Sequence, residues 1–425
     1  MCIRDRDGVA DLREVWFDGK TLTGCAKDLQ GPFFGRYGWI YWCKGAFAEQ
    51  HYPRKDGNPW STRAAHVFRR HPSGGEVESV MAGGMDNPVD VVMTPGGEKV
   101  FTTTFLTHPG DGNRDGLIHA IYGGVYGKDH GVLEGHARTG ELLPPLTHLG
   151  AAAPCGLELV EGANVTSAEG HLLLTCSFNL HKVFWHPLSF KGSRLHAPAR
   201  DLVVSDQLDF HPTDVVQAPD GSWLILDTGG WYKLCCPTSQ LVKPDVLGGI
   251  YRVSATDTPP VIDPLGQNLD WALKSPSALI ERFDDPRLFV RRRAIDQVAR
   301  FGEGAIPDLK AALTQADRPR LRLNTIWCLS HIPSDAARRA ARLGLRDALP
   351  VVRQAALHTI ALHRDTESAA MIMEQLPIWR PATQRVACEA LGRLGRKEAT
   401  TLLLDLADQT SDRMLEHSIV YALIE

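Results

Sequence analysis

In DGSWLILDTGGWYKLCCPTSQL, residues 220 to 241, an Asp-Gly turn runs into a short apolar strand, Trp223 to Leu226. The strand breaks at Asp227-Thr228-Gly229-Gly230 and is followed by Trp231, Tyr232 and Lys233. A turn, a strand and a glycine break bearing polar and aromatic side chains is how an all-β scaffold presents a site at a strand end. The phrase has earlier copies. A small or turn residue and a glycine precede a short apolar strand at Gly38, Gly97, Gly170 and Gly221, at intervals of 59, 73 and 51 residues. Asn87-Pro88-Val89-Asp90 lies upstream of Gly97 as His211-Pro212-Thr213-Asp214 lies upstream of Gly221. One short sheet cannot bury both of its faces, so repeats of several short strands stack around an axis as a β-propeller. Four blades are expected over residues 7–258, with the stretches Lys44 to Ser61 and Thr104 to His130 projecting from one face.

Beyond the proline-bearing linker 259–274 the period changes. Val290, Leu321, Val352, Gln384 and Leu415 recur at 31, 31, 32 and 31 residues, four of them followed by Arg and the last by Glu416. Small and apolar residues follow at helical spacing. This is the pattern of a HEAT-type α-solenoid of about five units over 275–425. The fold class is thus an all-β propeller followed by an all-α HEAT solenoid.

Bulk properties agree with two units. The chain has 425 residues, 43% hydrophobic and 23% charged, with a formal net charge of −4. No basic field points to nucleic acid. The nine cysteines form no C-x-x-C pair, which excludes zinc knuckles and c-type haem attachment. No apolar run approaches the roughly 18 residues of a membrane span. MCIRDR, residues 1–6, has no signal-peptide regions and reads as an artefact at a truncated start, while SIVYALIE stops inside a helical pattern.

Several residues are candidates for chemistry. Asp227, at a strand end before two glycines, could orient a base or bind a cation. Trp231, Tyr232 and Lys233 could stack on a planar ring and pair with a carboxylate; the plain alternative for Trp231 is packing between blades. Asp111-Gly112-Asn113-Arg114-Asp115-Gly116 matches the first half of a calcium loop, but the twelfth position is Tyr122 rather than Glu, so a polar turn competes with a metal site at Asp111, Asn113 and Asp115. His108, His119, His130, His136 and His181 are scattered, and no zinc site is assigned. Asp90 and Asp214 share a repeat position, which favours a carboxylate taking backbone N–H groups between blades. Arg291, Arg292, Arg293, Arg318, Arg320, Arg322, Arg338 and Arg339 read as a solvated basic surface, or as a concave docking face for a protein.

GWIYWCKGAFAEQ (38–50), GGMDNPVDVVMTPGGE (83–98), RDGLIHAIYGGVYGK (114–128), THLGAAAPCGLEL (147–159) and FHPTDVVQAPDGSWLILDTGGWYKLCCPTSQL (210–241) together resemble the membrane-bound dehydrogenase family of planctomycetes and verrucomicrobia. The resemblance covers about residues 7–253 and implies a propeller similar to quinone-dependent glucose and sorbosone dehydrogenases, then HEAT repeats. It implies about four blades present of an expected six, a sugar or alcohol substrate, and pyrroloquinoline quinone with calcium as cofactors. Haem would come only from a cytochrome domain beyond residue 425, and the location would be periplasmic or in the cell envelope. It also makes His211, nine residues before Asp220, similar to the base that takes the alcohol proton; the plain alternative is a strand cap beside Pro212. The competing expectation is a non-enzymatic propeller and solenoid scaffold that binds carbohydrate or protein.

Overall fold

The computed structural model describes residues 14–19, 29–54, 57–108, 112–161, 171–233, 240–256, 261–272 and 275–425. Four antiparallel sheets stand side by side. The first comprises β1 (Leu29–Phe34), β2 (Ile40–Lys44), then, after the hairpin β3 (Gln50–Tyr52) and β4 (Trp60–Thr62), β5 (Ala65–His71) and β6 (Gly74–Gly83). The second follows as β7 (Asn87–Met93), β8 (Lys99–Thr104) and β9 (Asp115–Ala120); β10 (Gly124–Tyr126) crosses back to run parallel to β6, and β11 (Thr147–Gly150) completes the sheet. The third is β12 (Pro154–Val160), β13 (Leu172–Ser177) and β14 (Lys182–Pro187); the ribbon β15 (Ser189–Lys191) and β16 (Arg194–His196) then leads to β17 (Arg200–Val204). The fourth has β18 (Pro212–Gln217) and β19 (Trp223–Asp227), the hairpin β20 (Trp231–Lys233) and β21 (Gln240–Val242), and β22 (Gly249–Val253). The first strand of each sheet faces the common axis, with β12 packed between β7 and β18 and with β7 beside β1. Because neighbouring blades cover both faces, even polar strands are interior: every residue of KVFTTT in β8 is buried. The four blades do not close a ring among the described residues.

The repeated glycines do what the pattern asked of them. Gly38, Gly97 and Gly221 have φ of 78°, 98° and 86° in the turn from the first to the second strand, a left-handed conformation only glycine adopts freely; Gly170 lies outside the described residues. The two stretches expected as insertions carry strands of their own. Residues 115–126 carry β9 and β10, strands of the sheets themselves. The β3–β4 hairpin folds inward because Tyr52 and Trp60 bury their rings against Trp42 and Phe68.

The helices are α1 (Pro276–Ile280), α2 (Leu288–Ala299), α3 (Ile306–Leu313), α4 (Pro319–His331), α5 (Asp335–Ala341), α6 (Pro350–His363), α7 (Ala369–Gln375), α8 (Pro381–Leu394), α9 (Thr400–Gln409) and α10 (Arg413–Ile424). Pro319, Pro350 and Pro381 open α4, α6 and α8 at the position where a missing N–H costs nothing. The even-numbered helices stack in order, and Val290, Leu321, Val352, Gln384 and Leu415 are all buried at equivalent places on them. Of the arginines read as a basic surface, Arg292, Arg293 and Arg339 are exposed and Arg318, Arg320 and Arg338 pair with nearby carboxylates, whereas Arg291 and Arg322 are buried. Arg291, Arg322 and Arg353 each donate through Nη1 to two carbonyls of the preceding loop, at 2.6–3.0 Å.

The solenoid's inner layer is seated on the propeller, and one hydrophobic core runs through both, from Tyr37, Met93 and Val125 to Trp327, Val352 and Leu391. Trp327 donates to Pro95 O at 3.0 Å, and His331 to Arg36 O at 2.8 Å. Arg385 leaves the repeat pattern: it donates to Ser193 O at 3.0 Å and to Glu98, whose other oxygen accepts from His119 Nε2 at 2.8 Å. Arg393 reaches Tyr122 Oη at 2.6 Å, and Asp412 accepts the Ser193 amide at 2.7 Å. The concave face expected to take a protein partner is instead packed against the chain's own blades, through the shared apolar core and these polar contacts.

Candidate functional site

The inner strands enclose an axial chamber of about 730 Å³, lined by Asp90 to Met93 of β7, Leu157 to Leu159 of β12, Asp214 to Val216 of β18 and Phe33 and Phe34 of β1. Leu288, Arg291, Arg292 and Ile295 of α2 and Asn324, Trp327 and His331 of α4 close one end. The rim where propeller meets solenoid is an ionic knot. Glu161 accepts from Arg36 at 2.6 Å and lies 3.5 Å from both Arg291 and Arg292. Burial alone would raise the Glu161 carboxyl, but Arg36, Arg292 and Arg291 outweigh it and hold it at about 2.

The other carboxyl groups behave oppositely. Burial, with Asp214 adding repulsion, pushes Asp90 up to about 7. Burial, with Asp90 and Glu161 adding to it, pushes Glu158 up to about 7 against the pull of Arg292. Asp214 is also raised, by burial. Burial in the chamber thus favours the protonated form of these carboxyls more than it does for surface carboxylates. Their backbone contacts explain the repeat position. Asp90 Oδ2 accepts the Leu157 amide of the next blade at 2.8 Å, while Asp214 Oδ1 accepts its own neighbour Val215.

The sequence candidates lie elsewhere. His211 and Asp227 do meet, at the far end of β18, and neither lines the chamber. His211 is buried at 5% exposure, stacked on Phe178 with ring centroids 4.5 Å apart. Its Nδ1 donates to Gly229 O at 2.8 Å, so the lone pair is on Nε2. Asp227 Oδ1 accepts the amides of His211 and Gly229, each at 2.8 Å. Asp227 therefore secures the loop backbone rather than orienting the imidazole. Trp231, Tyr232 and Lys233 form β20 opposite Val242, Leu241 and Gln240, and their side chains lie outside the described residues.

Of the three residues expected to ligate calcium, only two are described. Asp111 lies outside the described residues, and Asn113 is exposed with its carbonyl accepting from His148. The Asp115 carboxylate is buried and taken up by Arg114 and by the amides of Phe105 and Ala153 at 3.0 and 2.8 Å. Among the described residues no group of three or more His, Cys, Asp or Glu side chains is placed to share a metal ion.

Glu158 and Glu161 were not singled out in sequence. The signal available was the phrase Leu157-Glu158-Leu159, which puts a carboxylate between buried residues on an inner strand.

Comparison with known proteins identifies the helical repeats. The profile of HEAT repeats matches residues 339–424. No curated protein matches the sequence. Among solved structures, a candidate oxidoreductase (glucose dehydrogenase) from Thermus thermophilus aligns at a TM-score of 0.30 and 13% identity, over 49% of this chain and 79% of that one. A candidate gluconolactonase aligns at 0.25 and 14%, over 52% of this chain and 76% of that one. At these values neither bears on activity.

Proposed function

We propose that the axial chamber binds a neutral carbohydrate and that the solenoid serves as its fixed end wall. The observation that carries this reading is the placement of the Asp90 and Glu158 carboxyl groups with the aromatic rings of Phe33 and Phe34 in one cavity. Sugar hydroxyls need partners that both donate and accept, and the C–H faces of a pyranose stack on aromatic rings. A volume of about 730 Å³ accommodates a small saccharide with water. Phe34, 76% exposed, is the natural platform. The test is a calorimetric titration of the full chain with mono- and disaccharides at pH 6.0 and 8.0. Saturable binding lost in Phe34→Ala and weakened in Glu158→Gln supports the reading. Absence of binding by the folded chain to every sugar sinks it.

The quinone-dependent dehydrogenase is the second reading, favoured by the His211 tautomer, which leaves Nε2 able to accept an alcohol proton. It is separated from the first by titrating pyrroloquinoline quinone with calcium and following dye reduction. Sugar-dependent reduction abolished in His211→Ala would select it.

A further inference from the structure

An open basic groove adjoins the chamber. Phe289, Arg293, Gln297 and Arg300 recur along α2 at helical spacing, so they share one face of the helix, next to the face that closes the chamber. Arg292 and Asp296 form the ridge between the two faces and line both spaces. The groove encloses about 580 Å³, and Arg292, Arg293 and Arg300 are exposed in it. A ligand seated in the chamber can thus continue over this ridge along the protein surface.

The charge of the groove is not neutralised by its own helix. Asp296 stands four residues from both Arg292 and Arg300, the spacing at which helical ion pairs form, yet Arg292 turns to Glu161 at 3.5 Å instead. Among the described residues neither Arg293 nor Arg300 pairs with a carboxylate. Arg293 is held by its flat face: the guanidinium lies 4.1 Å from the centre of the Trp271 ring, whose indole N–H donates to Gly266 O at 2.6 Å. A guanidinium stacked in this way keeps its edge N–H groups for an anion. Arg300 lies about 10 Å further along the helix axis.

Resting on the carbohydrate reading of the chamber, we propose that the ligand is an oligosaccharide with an anionic substituent. A neutral unit occupies the chamber, and a neighbouring unit lays a carboxylate or a sulfate ester on the Arg293 and Arg300 face. Asp296, on the ridge, accepts a hydroxyl of the sugar that crosses it. Guanidinium groups take carboxylate and sulfate oxygens alike through charge-assisted hydrogen bonds. The continuity of groove and chamber favours a chain that spans both over an unrelated polyanion on the groove alone.

The test is calorimetric titration of the full chain with neutral disaccharides, the same disaccharides oxidised to uronates, and their monosulfates, at low and high salt. A charged form is expected to bind about tenfold more tightly than its neutral parent at low salt. That preference should shrink as salt is added and disappear when Arg293→Gln and Arg300→Gln are combined. Both side chains are exposed, so the variant should fold; circular dichroism verifies it. Arg346→Gln, at an exposed arginine after α5, should keep the preference. Whether the uronate or the monosulfate gains more identifies the anion. Neutral binding without a charged preference overturns this inference and leaves the chamber reading standing, whereas no binding of any sugar overturns both. Equal, salt-sensitive binding of polyglutamate, or loss of the preference in Arg346→Gln, would mark a general polyanion surface and overturn it as well.

Discussion

Replacing Arg385 by Ala tests whether propeller and solenoid are one cooperative unit. Arg385 is 1% exposed and its partner Glu98 2%. Burial alone would raise the Glu98 carboxyl, but Arg385 and His119 outweigh it and hold it well below 4.5. Such a group contributes stability that is present above pH 4.5 and lost as the pH falls. Without Arg385 the buried carboxylate must take a proton. His119 cannot accept it, since Nε2 donates to Glu98 and Nδ1 accepts the Leu195 amide. Protonating Glu98 at pH 7.5 costs about 1.4 kcal/mol for each of three pH units, or about 4 kcal/mol. At pH 5.5 the same step costs about 1.5 kcal/mol. The stranded Ser193 carbonyl adds roughly 1–2 kcal/mol at both values. Urea unfolding of both chains, followed by tryptophan fluorescence and by helical dichroism, measures the difference. The expected loss is about 5 kcal/mol at pH 7.5, smaller by roughly 2–3 kcal/mol at pH 5.5, with the two probes coincident in the wild type. Adding Glu98→Gln should recover about 2 kcal/mol at pH 7.5, because the amide oxygen still accepts from His119. A loss under about 1 kcal/mol, or one independent of pH with no rescue, would refute the reasoning.

Two further outcomes are expected. Asp90→Asn keeps an acceptor for the Leu157 amide but removes a carboxyl raised by burial to about 7. A raised group stabilises fully only below its unfolded value, near 3.8, and that contribution is lost as pH rises through 7. The advantage of the variant over wild type should therefore grow by about 1–3 kcal/mol from pH 5 to pH 8 in thermal melts; a constant difference counts against it. Gly97→Ala must hold φ at 98° and place its Cβ 2.5 Å from the buried His358 ring. It should cost roughly 2–4 kcal/mol by denaturant titration, more than the backbone penalty alone, and a cost near zero would mean that the docking surface yields.

How much of this was legible depends on the range of each signal. Turn glycines and the 31-residue period act within one repeat, so the blades at Gly38, Gly97 and Gly221 and the helices at Val290 to Leu415 could be read from spacing. What could not be read was which face of each unit the other would cover. Arg385 sits in the same register as Arg291, Arg322 and Arg353, yet it bonds a blade carbonyl and a blade carboxylate where the other three bond the carbonyls of their own preceding loops. At His211 and Asp227 sequence found the right neighbours and assigned them chemistry, where Asp227 instead holds backbone amides.

In α8 every residue after Pro381 is buried, including Thr383, Gln384, Arg385, Glu389 and Arg393. Arg385 and Arg393 can be enclosed there because each meets counterparts fixed in the blades, Glu98 and Ser193 for the first and Tyr122 and Glu78 for the second. The repeat here is thus not an interchangeable cassette. Duplicating, deleting or transplanting a unit, the usual route by which solenoids change length, would strand those groups against a blade that did not change with them. Variation along this lineage should then run through paired substitutions across the seam, and the number of helical units should be as fixed as the number of blades they cover.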